Sequence, residues 1–232
     1  MTVERESTDL SEFLRYLARE KQDGERLPSL VDLSRHLKVS TATLREQLEV
    51  ARTLGVVEVR PKTGIRRLAY RFTPAVLKSL SYAAAIDGPY FFQAFSDLRW
   101  HIETSYFHQA VSLLNESDHD RLQTLIEQAF EKLRGRNVQI PHYEHKELHL
   151  SIYRRLNNPF VTGILEAYWE AYESVGLDVY NDLSYLNNVW AYHQRMVEAI
   201  CRGDTQSAYQ ALIDHTQLLS QRTTKPISRQ FE

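Results

Sequence analysis

The sequence predicts a mainly α protein: an N-terminal winged helix-turn-helix with a small β-hairpin wing, then an antiparallel bundle of about seven helices. Three observations predict it. Apolar residues recur at helical spacing along most of the 232 residues. Period-two alternation is confined to Val56-Val57-Glu58-Val59-Arg60 and Ile65-Arg66-Arg67-Leu68, directly after the third helix. From Thr73 onward glycines are few and no strand pattern is found. The expected division is a winged helix-turn-helix domain over 1–72, a helical domain over 73–222 and a tail over 223–232.

The first predicted helix runs from Asp9 to Glu20, with Leu10, Phe13, Leu14 and Leu17 on one face and Ser7 or Thr8 as N-cap. After a break at Gly24, Leu27-Pro28-Ser29 opens a second helix carrying Leu30, Leu33 and Leu37 and ending near Lys38. Ser40 is the N-cap of a third, whose Leu44, Leu48 and Ala51 point inward while Thr41, Thr43, Arg45 and Arg52 project outward. Two short helices joined by a tight turn form a helix-turn-helix, of which the second enters the major groove. Gly55 stops this helix, and Pro61-Lys62-Thr63-Gly64 turns the two strands into a basic hairpin.

Charge supports a nucleic-acid-reading head. The chain carries a formal net charge of −2, but residues 33–72 hold nine Lys/Arg against three Asp/Glu, and residues 73–232 hold fourteen against nineteen. No apolar run approaches the roughly 18 residues of a membrane span, and the first ten residues are charged rather than signal-like, so a cytoplasmic protein is expected. The single Cys201 excludes an intrachain disulfide framework and a cysteine-rich zinc site, leaving histidine and carboxylate as metal donors.

In the body, helices are expected over about 73–86, 90–114, 118–134, 142–156, 159–179, 182–202 and 204–221, with breaks at Asp87-Gly88-Pro89, Asn115–Ser117, Gly135–Pro141, Asn157-Asn158-Pro159 and Gly203-Asp204. His145 and His149, four apart, share a helix face and can chelate a metal. His193, beside Trp190 and Met196, and His215, among Ala211, Leu212 and Leu218, face inward. Four histidines on three helices fit either a shared metal or separate side chains bonding backbone and carboxylate partners. Arg99 likewise suits a ligand contact or an i,i+4 ion pair with Glu103. His101, His108, His119 and His142 read as surface or packing residues.

Leu27-Pro28-Ser29, Leu33, Leu37, Val39-Ser40, Leu44-Arg45-Glu46, Leu48, Leu54-Gly55 and Gly64 resemble the reading head of the GntR family of regulators. The resemblance implies base or phosphate contacts from Thr41, Thr43 and Arg45, and Lys62, Thr63 and Gly64 over the minor groove; Ser29, Ser40 and Arg52 complete the expected DNA-contact set. Leu30-Val31 stands where the family has Glu-Arg, and Lys38 where a turn glycine is common.

The body resembles the ligand-binding domain of the FadR branch. The residues are Arg99-Trp100-His101-Ile102-Glu103, Leu148-His149 with Ile152 and Asn158-Pro159, His193 through Ala199-Ile200 to Gly203-Asp204, and His215. In metal-binding members an aspartate and three histidines hold a divalent cation, and the matching positions are His145, His149, His193 and His215. Histidine at 145 in place of aspartate favours zinc, nickel or copper over manganese, magnesium or calcium, with zinc or nickel expected. Tyr192 stands where the family is often acidic. The resemblance further implies a small carboxylate effector with Arg99 as charge partner, a homodimer on a double-stranded DNA operator, no membrane partner, and repression relieved by ligand. No catalysis is expected. The alternatives are a regulator whose effector is the cation itself and a histidine-rich helical metalloenzyme, the latter disfavoured because no acid/base carboxylate or nucleophile motif accompanies the histidines.

Overall fold

The computed structural model describes residues 10–19, 24, 26–174 and 183–223. The chain divides into two compact units, residues 1–78 and 79–232. The caps expected at Ser7 or Thr8, the last residues of the helix expected to reach 179, Tyr180, and most of the 223–232 tail lie outside the described residues.

In the first unit, α1 (Glu12–Arg19), α2 (Leu30–Leu37) and α3 (Thr41–Thr53) precede a hairpin of β1 (Val57–Arg60) and β2 (Gly64–Arg67). Ser11 begins α1, its Oγ accepting from Leu14 N at 3.3 Å. Ser29 Oγ accepts from Asp32 N, and Ser40 Oγ from Thr43 N. Gln47 on α3 accepts from Phe13 N at 3.0 Å, joining the start of α1 to α3. The core holds Phe13, Leu17, Leu27, Leu33, Leu44, Leu48, Ala51, Val57 and Ile65.

The expected glycine stop at Gly55 is present, with φ +70°, Val56 N–H bonded to Ala51 O and Gly55 N–H to Arg52 O. A Cβ there would meet Pro74 Cγ at 2.4 Å, so glycine is required twice over. The hairpin is antiparallel, pairing Val57 with Arg67 and Arg60 with Gly64, one residue offset from the expected strand limits. An additional extended segment joins it: Leu27 N–H donates to Ile65 O, and Arg26 bridges Arg66. The basic hairpin is also not uniformly outward. Alternation buries Arg67, whose guanidinium donates to Leu17 O at the end of α1, and leaves Arg66 exposed.

The helix α4 (Thr73–Ser112) extends into the second unit and breaks at Asp87, where φ −154° and ψ 90° leave the helical region. Asp87 Oδ1 accepts from Tyr90 N, recapping the chain, and Pro89 sits in the first turn thereafter, where its missing N–H costs nothing. Then follow α5 (Glu116–Arg134), α6 (His142–Tyr153), a 3-10 turn (Arg154–Leu156), α7 (Pro159–Ser174), α8 (Leu183–Cys201) and α9 (Thr205–Thr223). With α4 taken as two helices, the described residues of the body hold seven. Asn115 and Asp118 form a reciprocal capping box on α5. Asn158 caps α7 through Phe160 N and Val161 N, and Asp204 caps α9 through Ser207 N. Helix α5 packs on α6 and α8, and α8 on α9. Among the described residues, no helix is long and apolar enough to cross a membrane.

Candidate metal centre and nucleic-acid head

Helix α6 supplies His145 and His149, one turn apart; α8 supplies His193 and α9 supplies His215. One ring nitrogen from each falls within 4.8 Å of all the others. His149 Nε2 and His193 Nε2 are 3.2 Å apart. Nitrogens around a tetrahedral zinc with bonds of about 2.0–2.1 Å stand roughly 3.3–3.4 Å apart, so this pair is already near that separation and the wider pairs would close on an ion to reach it. His149, His193 and His215 are at most 1% exposed. His145 keeps partial exposure as a residue, but its Nε2 is sealed from solvent.

The donor set fits a metal on a second ground. His145 Nε2, His193 Nδ1 and both ring nitrogens of His215 are buried without hydrogen-bond partners, an arrangement that is costly unless something satisfies them together. Burial, reinforced by the neighbouring imidazoles and by Arg99, holds His145 and His193 well below the ordinary histidine range, and His215 falls to about 3. These three rings are therefore unprotonated at neutral pH, the form that ligates a cation.

Glu103, on α4, is the residue that sequence reasoning missed as part of this site. It is 0% exposed, and its Oε1 lies 3.1 Å from His149 Nδ1. The two atoms are close enough for a charge-assisted contact without full hydrogen-bond alignment. Arg99, 2% exposed, approaches the same Oε1 at 3.9 Å and lies over the Tyr168 ring at 4.4 Å. Thus the expected i,i+4 pairing exists, but as an ion pair sealed in the core. Burial pushes the Glu103 carboxyl upward, yet Arg99, His149 and His215 outweigh it and hold it at about 2. The sequence signal was the Arg99–Glu103 spacing; that the carboxylate also reaches an imidazole from another helix depends on tertiary packing.

Trp169 on α7 and Trp190 on α8 wall the cluster, with centroids 4.6 Å and 5.9 Å from the His145 ring. The remaining aromatics divide: Tyr153 and Tyr168 are buried, whereas Tyr90 and Tyr143 are exposed. Tyr192 packs under Arg195 at 4.0 Å. His101 binds its own helix through Asp97 O, and His108 and His142 lie tilted against Tyr209 and Tyr172, as packing or surface residues do.

In the first unit, the outward face of α3 presents Thr43, Arg45 and Arg52, with Thr41 half-buried. Several candidate contact groups are already engaged. Ser29 Oγ also donates to Asp32 Oδ2, Ser40 Oγ and Thr43 Oγ1 share a hydrogen bond, and Arg52 pairs with Glu49 at 2.6 Å. Arg45 is exposed, and among the described residues it has no ion pair. At the wing tip Lys62 and Thr63 are exposed, Lys62 has φ +68° and Gly64 φ +80°. Sequence reasoning also missed Arg26, whose Nε would lie 3.5 Å from a Cβ at Gly64, adding a cation beside the wing tip. Val31, at a position where the family carries arginine, is 52% exposed. Lys38 occupies the left-handed region at φ 55°, ending α2 as a glycine would.

Comparison with known proteins gives three likenesses, of family, of sequence and of fold. The model of the FCD domain matches residues 95–218, more than half of the chain. The uncharacterized HTH-type transcriptional regulator YcbG of Bacillus subtilis (strain 168) is 25% identical over 207 residues, covering 87% of this chain and 82% of that protein. The solved structure of Streptococcus agalactiae GntR superposes with a TM-score of 0.68 at 16% identity, covering 90% of this chain and 95% of that one, a likeness of fold.

Proposed function

The chain belongs to the FCD-domain family, and from that premise we propose that it is a DNA-binding transcriptional regulator of the GntR type, on the FadR branch. The winged head reads an operator, and the helical body binds a small carboxylate beside a divalent metal held by His145, His149, His193 and His215. The observation that carries this reading is the convergence of four ring nitrogens within 4.8 Å in the FCD-matched body of a chain whose first unit is a winged helix-turn-helix.

The metal orders the four imidazoles and, in a five- or six-coordinate geometry, takes a carboxylate in the remaining positions, with Arg99 as the nearby cation. With four neutral nitrogen donors the site favours zinc or nickel. On the DNA side, Arg45 is the principal contact of α3, supported by Thr41 and Thr43; Lys62, Thr63 and Gly64 form the minor-groove wing, and Ser29, Ser40 and Arg52 contribute around the helix ends. The working form is a homodimer on a pseudo-palindromic site in the cytoplasm. Tyr82, Ile86 and Tyr90, each more than 60% exposed on α4, offer an apolar surface for the second copy. Effector binding changes DNA affinity by favouring one arrangement of the two heads, relieving repression.

The test is binding to the DNA upstream of the protein's own gene at moderate salt, with and without chelator. Retarded DNA with the native protein, and its loss with Arg45→Ala, is the expected result. If neither this DNA nor random duplex is bound, the regulator reading fails.

A further inference from the structure

Resting on the metal reading above, we infer that Glu103 is a positioning residue of the centre, holding His149 as the Nδ1–H tautomer so that Nε2 is presented to the ion. Each ring nitrogen of His149 faces one partner. Nε2 meets the ring of another histidine of the cluster, His193 Nε2 at 3.2 Å, and Nδ1 meets Glu103 Oε1 at 3.1 Å. Glu103 is not among the converging donor atoms themselves. Both its carboxylate oxygens and His149 Nδ1 are buried without an aligned hydrogen bond, and at 3.1 Å that ring nitrogen and Oε1 are each other's nearest complement.

Two further contacts hold the carboxylate in place. Tyr153 Oη donates to the Glu103 backbone carbonyl at 2.9 Å, tying that turn of α4 to α6, the helix that bears His149. Arg99 stands at 3.9 Å as counter-charge, so the buried carboxylate is kept ionised beside the imidazole. An anionic acceptor behind a ligating histidine fixes the ring orientation and makes the opposite nitrogen a stronger donor; removing such a partner typically costs 10–100-fold in metal affinity.

The experiment measures zinc affinity by chelator competition on the full chain for native protein, Glu103→Gln, Arg99→Gln and the double variant. The double variant leaves no isolated buried charge, so its comparison with native protein reads the loss of the carboxylate even if either single variant folds poorly. The expected result is a loss of about 10–100-fold on neutralising Glu103 in either background. Two spectroscopic readouts accompany it. The cobalt-substituted absorption envelope stays that of the native coordination number, and the His149 Nδ1–H resonance moves as its charged acceptor becomes a neutral amide. Equal zinc affinity with and without the carboxylate overturns the inference while leaving the metal reading intact. A changed cobalt coordination number makes Glu103 a direct ligand and overturns it too. Native protein that fails to bind zinc, nickel or cobalt overturns both.

Discussion

Acidifying the metal-stripped protein below pH 6.5 is expected to unfold the helical unit. His145, His193 and His215 have folded pKa values below the ordinary 6.5, so the unfolded chain binds more protons than the folded one as pH falls. Stability is present in full above 6.5 and declines below it, continuing for His215 toward about 3. Between pH 7 and pH 5 the protonation of each unfolded histidine is worth about 2 kcal/mol, hence up to about 6 kcal/mol for the three. That is comparable with the whole stability of a typical domain, and at about 2–4 °C per kcal/mol it lowers Tm by about 12–24 °C. Glu103, held at about 2, contributes nothing to this window, because its own loss begins only below its unfolded value of 4.5. The assay is thermal unfolding by circular dichroism in chelator across pH 5 to 7, followed at the helical signal, with His215→Gln reducing the slope by about a third. A Tm that moves by less than about 3 °C, or a slope indifferent to His215→Gln, refutes the reasoning.

Three other outcomes follow from the same structure. In the head, Arg45→Ala is expected to weaken DNA binding at least tenfold, with a smaller effect from Arg52→Ala because Glu49 already neutralises that guanidinium; gel retardation over a range of salt separates them. Gly55→Ala should destabilise the head by about 2–4 kcal/mol, from the left-handed backbone and the overlap with Pro74, whereas Lys38→Gly should stabilise it by about 1 kcal/mol; urea denaturation reads both. At the candidate metal centre, His145→Asp introduces a carboxylate donor and is expected to raise manganese affinity relative to zinc, measured by competition between the two ions.

Much of this was legible because the relevant signals are local. Ser29 and Ser40 as caps, Gly55 as a stop, the two strands and the breaks at Asp87, Asn115 and Asn158 are each set by residues within a few positions of one another, and each stands where expected to within a residue or two. His145 and His149 follow from helix geometry alone. Their meeting with His193 and His215 needed the family resemblance, since spacing left separate partners equally open. Glu103 escaped because its i,i+4 relation to Arg99 explained it locally, while its contact with His149 spans two helices distant in sequence. Arg67 escaped for a similar reason: it read only as one cation of a basic hairpin, and its burial follows from the strand's alternation together with the position of the Leu17 carbonyl.

The placement of the indole rings has an optical consequence. All three tryptophans, Trp100, Trp169 and Trp190, lie in the helical unit and none in the head. Trp169 and Trp190 lie against the histidines, at 4.6 Å from His145 and 5.0 Å from His193. Intrinsic emission is therefore a label-free gauge of this centre. Copper(II), being paramagnetic, is expected to extinguish it on binding at the histidines, closed-shell zinc to leave it bright, and DNA added to the head to be silent unless the body responds.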